Sequence, residues 1–177
     1  MNRSTFWHLI ERTQEEKHGD QEKQIALLRE QLLHLSLEEL QSFAHIVDEL
    51  CSESYRPLLW AAAYLMNGGC SDDGFEYFRG WLIAQGATVF SQAVNDPDTL
   101  ADVIPSHQRD LPESDFECEE ILFLAQHVYH EKTGEEMPSP HRLKYPSLTR
   151  EEIHLITDDV AVAQACPRLW ALFHYKA

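Results

Sequence analysis

The stretch YRPLLWAAAYLMNGGCSDDGFEYFRGWLI, residues 55–83, decides the fold because it joins two apolar segments through a strong helix-breaking turn. Proline is tolerated in the first turn of a helix, so Pro57 indicates that a helix begins near Tyr55. Asn67-Gly68-Gly69 would end that helix, since glycine accepts the left-handed conformation common at helix ends. Ser71-Asp72-Asp73 would open the next, where acidic side chains suit the helix dipole. The stretch therefore predicts a helical hairpin.

Helical spacing continues on both sides of this hairpin. Ser4 is a candidate cap for a first helix, and Ser36–Glu39 and Thr149–Glu152 are capping boxes, in which a hydroxyl and a carboxylate satisfy backbone donors reciprocally. Apolar residues recur at helical period over 118–129, and Gly134 would stop that helix. These signals predict helices along most of the chain.

The predicted fold class is all-α, because no stretch sustains the period-two alternation of a strand. Residues 105–115 read as a surface loop, and three prolines predict an extended connector near 137–148. We expect a single-domain irregular helical bundle over 1–177, with the hairpin at 55–83 and with 147–177 packed on it as a C-terminal appendage. That last part is too small to be a separate domain.

The charge of the chain limits its partners. Its 177 residues have a formal net charge of -16, from 30 acidic and 14 basic residues. Such a surface repels nucleic-acid phosphates and anionic lipid headgroups, so we expect neither nucleic acid nor a membrane as partner. A basic protein partner would be attracted, although acidic charge can also serve solubility alone. Four widely spaced cysteines and an amphipathic N-terminus favour a cytoplasmic location with reduced thiols.

Several motifs resemble one known family. FW-x-L-I near the start, LWAAAYLMNGGCSDDGFEYFRGWLIAQG in the centre, CEE at 118–120 and PRLW at 167–170 are similar to the bacterial domain-of-unknown-function family 4240. The resemblance covers roughly residues 4–173, and the central block is its most specific part. The family name implies no activity, so the resemblance supplies no site residues, cofactor or partner.

The hairpin also contains the candidate ligand site. Its aromatic side chains, with Trp81, could meet across the helix pair, either as a pocket for a planar or cationic ligand or as plain core. A buried arginine needs compensation, so Arg79 could pair with a nearby carboxylate or anchor a carboxylate or phosphate ligand. The candidate ligand-binding residues are Trp60, Tyr64, Asn67, Asp72, Asp73, Tyr77 and Arg79.

Two other chemistries are weaker candidates. Cys70 precedes a predicted helix N-terminus, which favours a thiolate, but the neighbouring carboxylates oppose that shift, and a packed cysteine is the alternative. His127, His130 and Glu131 fall near one helix face and could bind a metal, although an incidental solvated face explains them equally well. We predict no metal and no cofactor, and no catalytic residue is assigned.

Two classes of function follow from these observations. The first is a non-catalytic acidic interaction protein that binds a basic partner protein, with electrostatic steering of association. The alternative is a small-molecule-binding protein or enzyme that uses a pocket at the 55–83 hairpin. The sequence leaves open whether the protein is an enzyme, what its ligand is and what its oligomeric state is.

Overall fold

A computed structural model of the chain describes residues 1–17, 20–104, 116–138, 145 and 147–173. Within these ranges the regular structure consists of ten α-helices and one 3-10 helix, with no strand, which confirms the all-α class. None of the helices in the described ranges is both long and apolar enough to cross a membrane.

Three helices form the N-terminal part: α1 (Arg3–Lys17), α2 (Gln21–Leu33) and α3 (Leu37–Glu53). The predicted capping box at Ser36 is confirmed, since its hydroxyl accepts from the Glu39 backbone N–H and the Glu39 carboxylate accepts from the Ser36 N–H. The predicted Ser4 cap is wrong. Asn2 Oδ1 accepts from the Thr5 N–H instead, so α1 begins earlier.

The hairpin segment folds as α4 (Pro57–Met66) and α5 (Asp72–Ala84), followed by α6 (Ala87–Asn95) and a 3-10 helix (Pro97–Asp102). Pro57 occupies the first turn of α4, and the Ser71 hydroxyl caps α5 by accepting from the Gly74 N–H. The aromatic contacts differ from the expectation. Trp60 stacks on Phe75 at 4.6 Å between ring centroids, whereas Trp81 contacts Phe78 and Phe116.

The C-terminal part contains α7 (Glu120–Thr133), α8 (Arg150–Thr157), α9 (Asp159–Ala165) and α10 (Pro167–Phe173). Gly134 ends α7 with a φ of 73°, as predicted from its tolerance of the left-handed region. The capping box at Thr149 is also confirmed. The predicted loop at 105–115 and most of the predicted connector at 137–148 lie outside the described residues.

The core lies where α3 packs against α7 and α5, while α4 contacts α8, α9 and α10. Its largest apolar members have almost no exposed surface: Phe6, Phe43, Phe75, Phe78, Leu28, Leu40 and Leu50. Asp98 joins the C-terminal helices to the rest, because its Oδ1 accepts from the backbone N–H groups of Arg168 and Leu169 at 2.9 Å each. This buried carboxylate takes the role of an N-terminal cap for α10.

The backbone of α5 closely approaches the segment that precedes α7. The Cys118 N–H donates to the Tyr77 carbonyl at 2.9 Å. A Cβ placed on Gly80 would lie 2.2 Å from the Cys118 carbonyl oxygen. Glycine at this position therefore allows two backbones to touch, and it fixes α5 relative to α7.

Candidate functional site

The aromatic members of the predicted hairpin site have different surroundings. Trp60 is buried, and its Nε1 donates to the Cys70 carbonyl at 3.2 Å, which fastens the hairpin turn onto α4. Tyr64 is 43% exposed. Tyr77 is half-buried, and loss of hydration, followed by the nearby Glu119 charge, raises its pKa.

The polar members of that prediction are also dispersed. Asp72 and Asp73 lie exposed in the first turn of α5. Asn67 is the C-terminal cap residue of α4, and its side-chain nitrogen and oxygen are both shielded from solvent without a hydrogen-bond partner. A ligand role for these residues stays a prediction, with Asn67 as its most unusual member.

Arg79 is the charged centre of the hairpin, with only 2% of its surface exposed. Its Nη1 donates to the Cys51 carbonyl at 2.7 Å and its Nε to the Phe75 carbonyl at 3.2 Å. The guanidinium carbon lies 4.6 Å from the ring centroid of Tyr145 and 5.3 Å from that of Tyr55. Carbonyl dipoles and aromatic rings thus compensate the buried charge.

The expected local ion pair of Arg79 does not form. No ion pair within 4.0 Å links it to Asp72, Asp73 or Glu76 in the described part of the chain. The long side chain crosses instead to α3, one helix away, because the α3 carbonyl of Cys51 faces it. Arg79 therefore connects α5 to α3.

A cleft of about 1030 Å³ opens beside this connection, between α3, α5 and α7. It is lined by Val47, Asp48, Cys51, Glu76, Leu122, Phe123, Gln126, His127, His130, Glu131, Glu136, Met137 and Tyr145. None of the seven predicted ligand-binding residues belongs to this lining. Four of the lining residues are carboxylates, and none of the described ones is lysine or arginine, so the cleft is negative.

Two of the carboxylates lie at the end of the cleft nearest Arg79. Asp48 is one turn before Cys51 on α3, and Glu76 is one turn before Arg79 on α5, and both are half-buried. Burial raises the pKa of the Cys51 thiol to about 12; the Arg79 charge opposes this, and Glu76 and Asp48 reinforce it. The thiol is therefore protonated near neutral pH and is a poor nucleophile.

Tyr145 forms part of the same end. Its ring stacks on Tyr55 with centroids 4.6 Å apart and an interplanar angle of 14°. Burial raises the pKa of Tyr145, while the Arg79 charge lowers it. With 37% of its surface exposed, the ring still offers aromatic area to the cleft.

The α7 wall contains the imidazole groups that the sequence placed on one helix face. His127, His130 and Glu131 do all line the cleft. Glu131 pairs with Arg29 of α2 at 2.5 Å, and His130 Nδ1 lies 3.9 Å from a carboxylate oxygen of Glu136. Over the described ranges, no group of three or more His, Cys, Asp or Glu side chains is arranged to hold a metal ion.

Cys70 does not have the environment of a reactive thiol. Burial is the main cause that raises its pKa to about 12, and the Glu117 charge adds to it. The carboxylate that opposes the thiolate is thus Glu117 ahead of Asp72, which adjacency in sequence could not indicate. This arrangement favours the packed-cysteine interpretation.

The cleft residues that sequence reasoning missed had only faint signals. Asp48 and Glu76 each stand three residues before a residue that joins α3 to α5, but a single sequence does not show that these helix faces meet. Gln126 is an ordinary polar residue in an amphipathic helix. Tyr145 follows a proline-containing segment and has no helical period.

Comparison with known proteins agrees with the resemblance in the motifs. The sequence profile of a family described as "Protein of unknown function (DUF4240)" matches residues 1–131. The chain belongs to the DUF4240 family. None of the curated proteins and none of the solved structures compared with it matches the chain. The DUF4240 match ends inside α7, so Glu136, Met137 and Tyr145 line the cleft from beyond the matched region.

Proposed function

We propose that this DUF4240 protein is a non-catalytic interaction protein whose cleft between α3, α5 and α7 binds a basic segment of a partner protein. The observation that carries the proposal is the lining of the cleft, which contains four carboxylates and, among the described residues, no lysine or arginine. A lining of this sign attracts a cationic segment and repels an acidic one.

The size and apolar content of the cleft favour a peptide segment as ligand. Its volume, about 1030 Å³, lies at the upper end of the ~300–1,000 Å³ usual for small-molecule sites. Leu122, Met137 and Tyr145 supply apolar area within it, and Phe123, at 42% exposure, supplies more. Protein interfaces combine such apolar area with a polar periphery.

A non-catalytic role is favoured by the state of the one thiol in the cleft. Cys51 keeps its proton far above neutral pH, for the reasons of burial and nearby carboxylates given above. The net charge of -16 would speed encounter with a basic partner over long range, and salt would weaken that effect.

Affinity capture with matched bait proteins tests this function. The cleft bait carries Asp48→Asn with Glu76→Gln, and the control bait carries Glu15→Gln with Glu30→Gln at exposed positions of α1 and α2. Both variants lose two negative charges. We expect one basic protein in the host lysate to bind the natural and control baits at low salt and to be lost from the cleft bait. Cross-links from that protein should map to α3, α5 and α7.

Equal capture by the natural, control and cleft baits would contradict the proposal, because net charge alone would then explain binding. Capture by none of them at low salt would contradict it as well. Circular dichroism of each bait confirms that the helices are intact, so a loss of capture reports on the cleft.

A second candidate function is a small-molecule site at the 55–83 hairpin, and Asn67 favours it. Two buried polar atoms without partners cost free energy, about 1–3 kcal/mol for a group left unsatisfied. A ligand that hydrogen-bonds Asn67 would remove that cost. A metabolite that raises the unfolding temperature of the natural protein, but not of Asn67→Leu, would support this site. Equal shifts for both proteins would count against it.

A further inference from the structure

We infer that the group recognised in the cleft is an arginine side chain, held between the Tyr145 ring, the carboxylates of Asp48 and Glu76, and the Oε1 atom of Gln126. This inference rests on the proposed function and specifies the chemistry of the partner. Its basis is one buried acceptor, two carboxylates and one aromatic ring that all line the same cleft.

Gln126 provides the observation that is independent of charge. Its Oε1 atom is shielded from solvent and has no hydrogen-bond partner, although the residue lines the cleft. An acceptor in this state is stabilised by a ligand that brings an N–H donor. An anionic ligand has no donor to offer, whereas a guanidinium has five.

The two carboxylates at this end of the cleft define the charge of the ligand. Asp48 and Glu76 both act on Cys51, so they lie close to the same place. Together they contribute two negative charges against the single positive charge of Arg79, which is itself buried behind Tyr145 and Tyr55. A second cation in the cleft is therefore compensated.

The aromatic ring decides between arginine and lysine. Tyr55 stacks on Tyr145, and the remaining 37% exposure of Tyr145 leaves aromatic surface at the cleft. The planar guanidinium of arginine stacks on such a ring while its edge donates to carboxylates in a fork. The ammonium of lysine is more strongly hydrated and acts as a point charge. Arg79 already shows a guanidinium in contact with this same ring.

Short peptides test the inference directly. Acetylated Gly-Arg-Gly amide, its lysine counterpart and its neutral citrulline counterpart are titrated into the full chain, and backbone amide NMR shifts report the position and affinity of binding. We expect the arginine peptide to bind roughly three- to tenfold more tightly than the lysine peptide, the range that a cation–π contact supplies. The citrulline peptide should bind least, and the shifts should centre on α3, α5 and α7.

Variants separate the two recognition elements. Tyr145→Leu should remove the preference for arginine over lysine, whereas Tyr145→Phe should keep it because the ring remains. Gln126→Leu should weaken binding of the arginine peptide, and Gln126→Glu, which places a charged acceptor at the same point, should strengthen it. Each variant is first compared with the natural protein by circular dichroism.

Equal binding of the arginine and lysine peptides would overturn the inference, as would an arginine preference that survives Tyr145→Leu or weaker binding to Gln126→Glu. The proposed function would still stand in those cases if Asp48→Asn with Glu76→Gln loses the captured partner. If that double variant keeps the partner, the proposed function itself fails.

Discussion

The contact of Gly80 with Cys118 gives a stability prediction that can be worked out from distances. A Cβ at position 80 would lie 2.2 Å from the Cys118 carbonyl oxygen and 3.2 Å from both the Cys118 carbonyl carbon and Ile121 Cγ2. Ordinary contacts begin near 3.4 Å, so the backbone at Cys118 must move by more than an ångström for Gly80→Ala to fit. No flexible side chain can absorb this movement.

Three terms set the size of the effect. Overpacking a well-packed interior costs about 1–3 kcal/mol. The displacement would also strain or break the bond from the Cys118 N–H to the Tyr77 carbonyl, at about 1 kcal/mol. Alanine regains about 1 kcal/mol of helix propensity over glycine. We therefore expect Gly80→Ala to lower the free energy of unfolding by about 1–3 kcal/mol.

Gly74→Ala is the matched control, since it makes the same substitution in the same helix. A Cβ there meets the nearest atoms, Glu117 Oε1 and Ser71 Oγ, only at 3.4 Å. This variant should be as stable as the natural protein or more stable, by up to about 1 kcal/mol. Urea unfolding followed by the helical circular dichroism signal measures both. If Gly80→Ala is as stable as Gly74→Ala, with an unchanged urea slope, the backbone contact inferred here is wrong.

Two further predictions concern the C-terminal helices and the thiols. Asp98→Ala should destabilise the protein by about 1–2 kcal/mol and speed hydrogen exchange in α10, because the helix loses its cap; Asp102→Ala, which removes only the exposed pair with Arg168, should have a smaller effect, and the reverse order would contradict the capping role. In the folded protein near pH 8, the Cys70 thiol should react with a disulfide reagent at least on the order of a hundredfold more slowly than in urea, since a pKa of about 12 leaves little thiolate. Because unfolded cysteines ionise at lower pH than this folded thiol, stability should also fall as the pH rises toward 12, and equal folded and unfolded reaction rates would argue against the raised pKa.

The helices could be predicted because their signals are local. A capping box such as Ser36–Glu39 works through atoms three residues apart, and Gly134 ends α7 through its own backbone freedom. The error at Ser4 has the same origin, since Asn2 is an equally suitable cap close by. Predictions of this kind depend on a few consecutive residues, and the folded neighbours seldom overrule them.

The candidate site was less predictable. The hairpin attracted attention by its aromatic content, yet Trp60 fastens the turn and Arg79 joins two helices, which are structural roles that the same residues fulfil through contacts distant in sequence. The cleft residues are spread over α3, α5, α7 and the segment around Tyr145, and none of them belongs to a recognisable motif.

Helix positions, caps and the strongly negative charge thus follow from residue chemistry and short spacing, so the amino-acid order alone specifies them. The meeting of Asp48, Glu76, Gln126 and Tyr145 around one cleft depends on how α3, α5 and α7 pack. Packing is set by many weak side-chain contacts summed over the whole core, together with close approaches such as that of Gly80 to Cys118. No short stretch of sequence contains that sum, so only the folded structure brings these four side chains together.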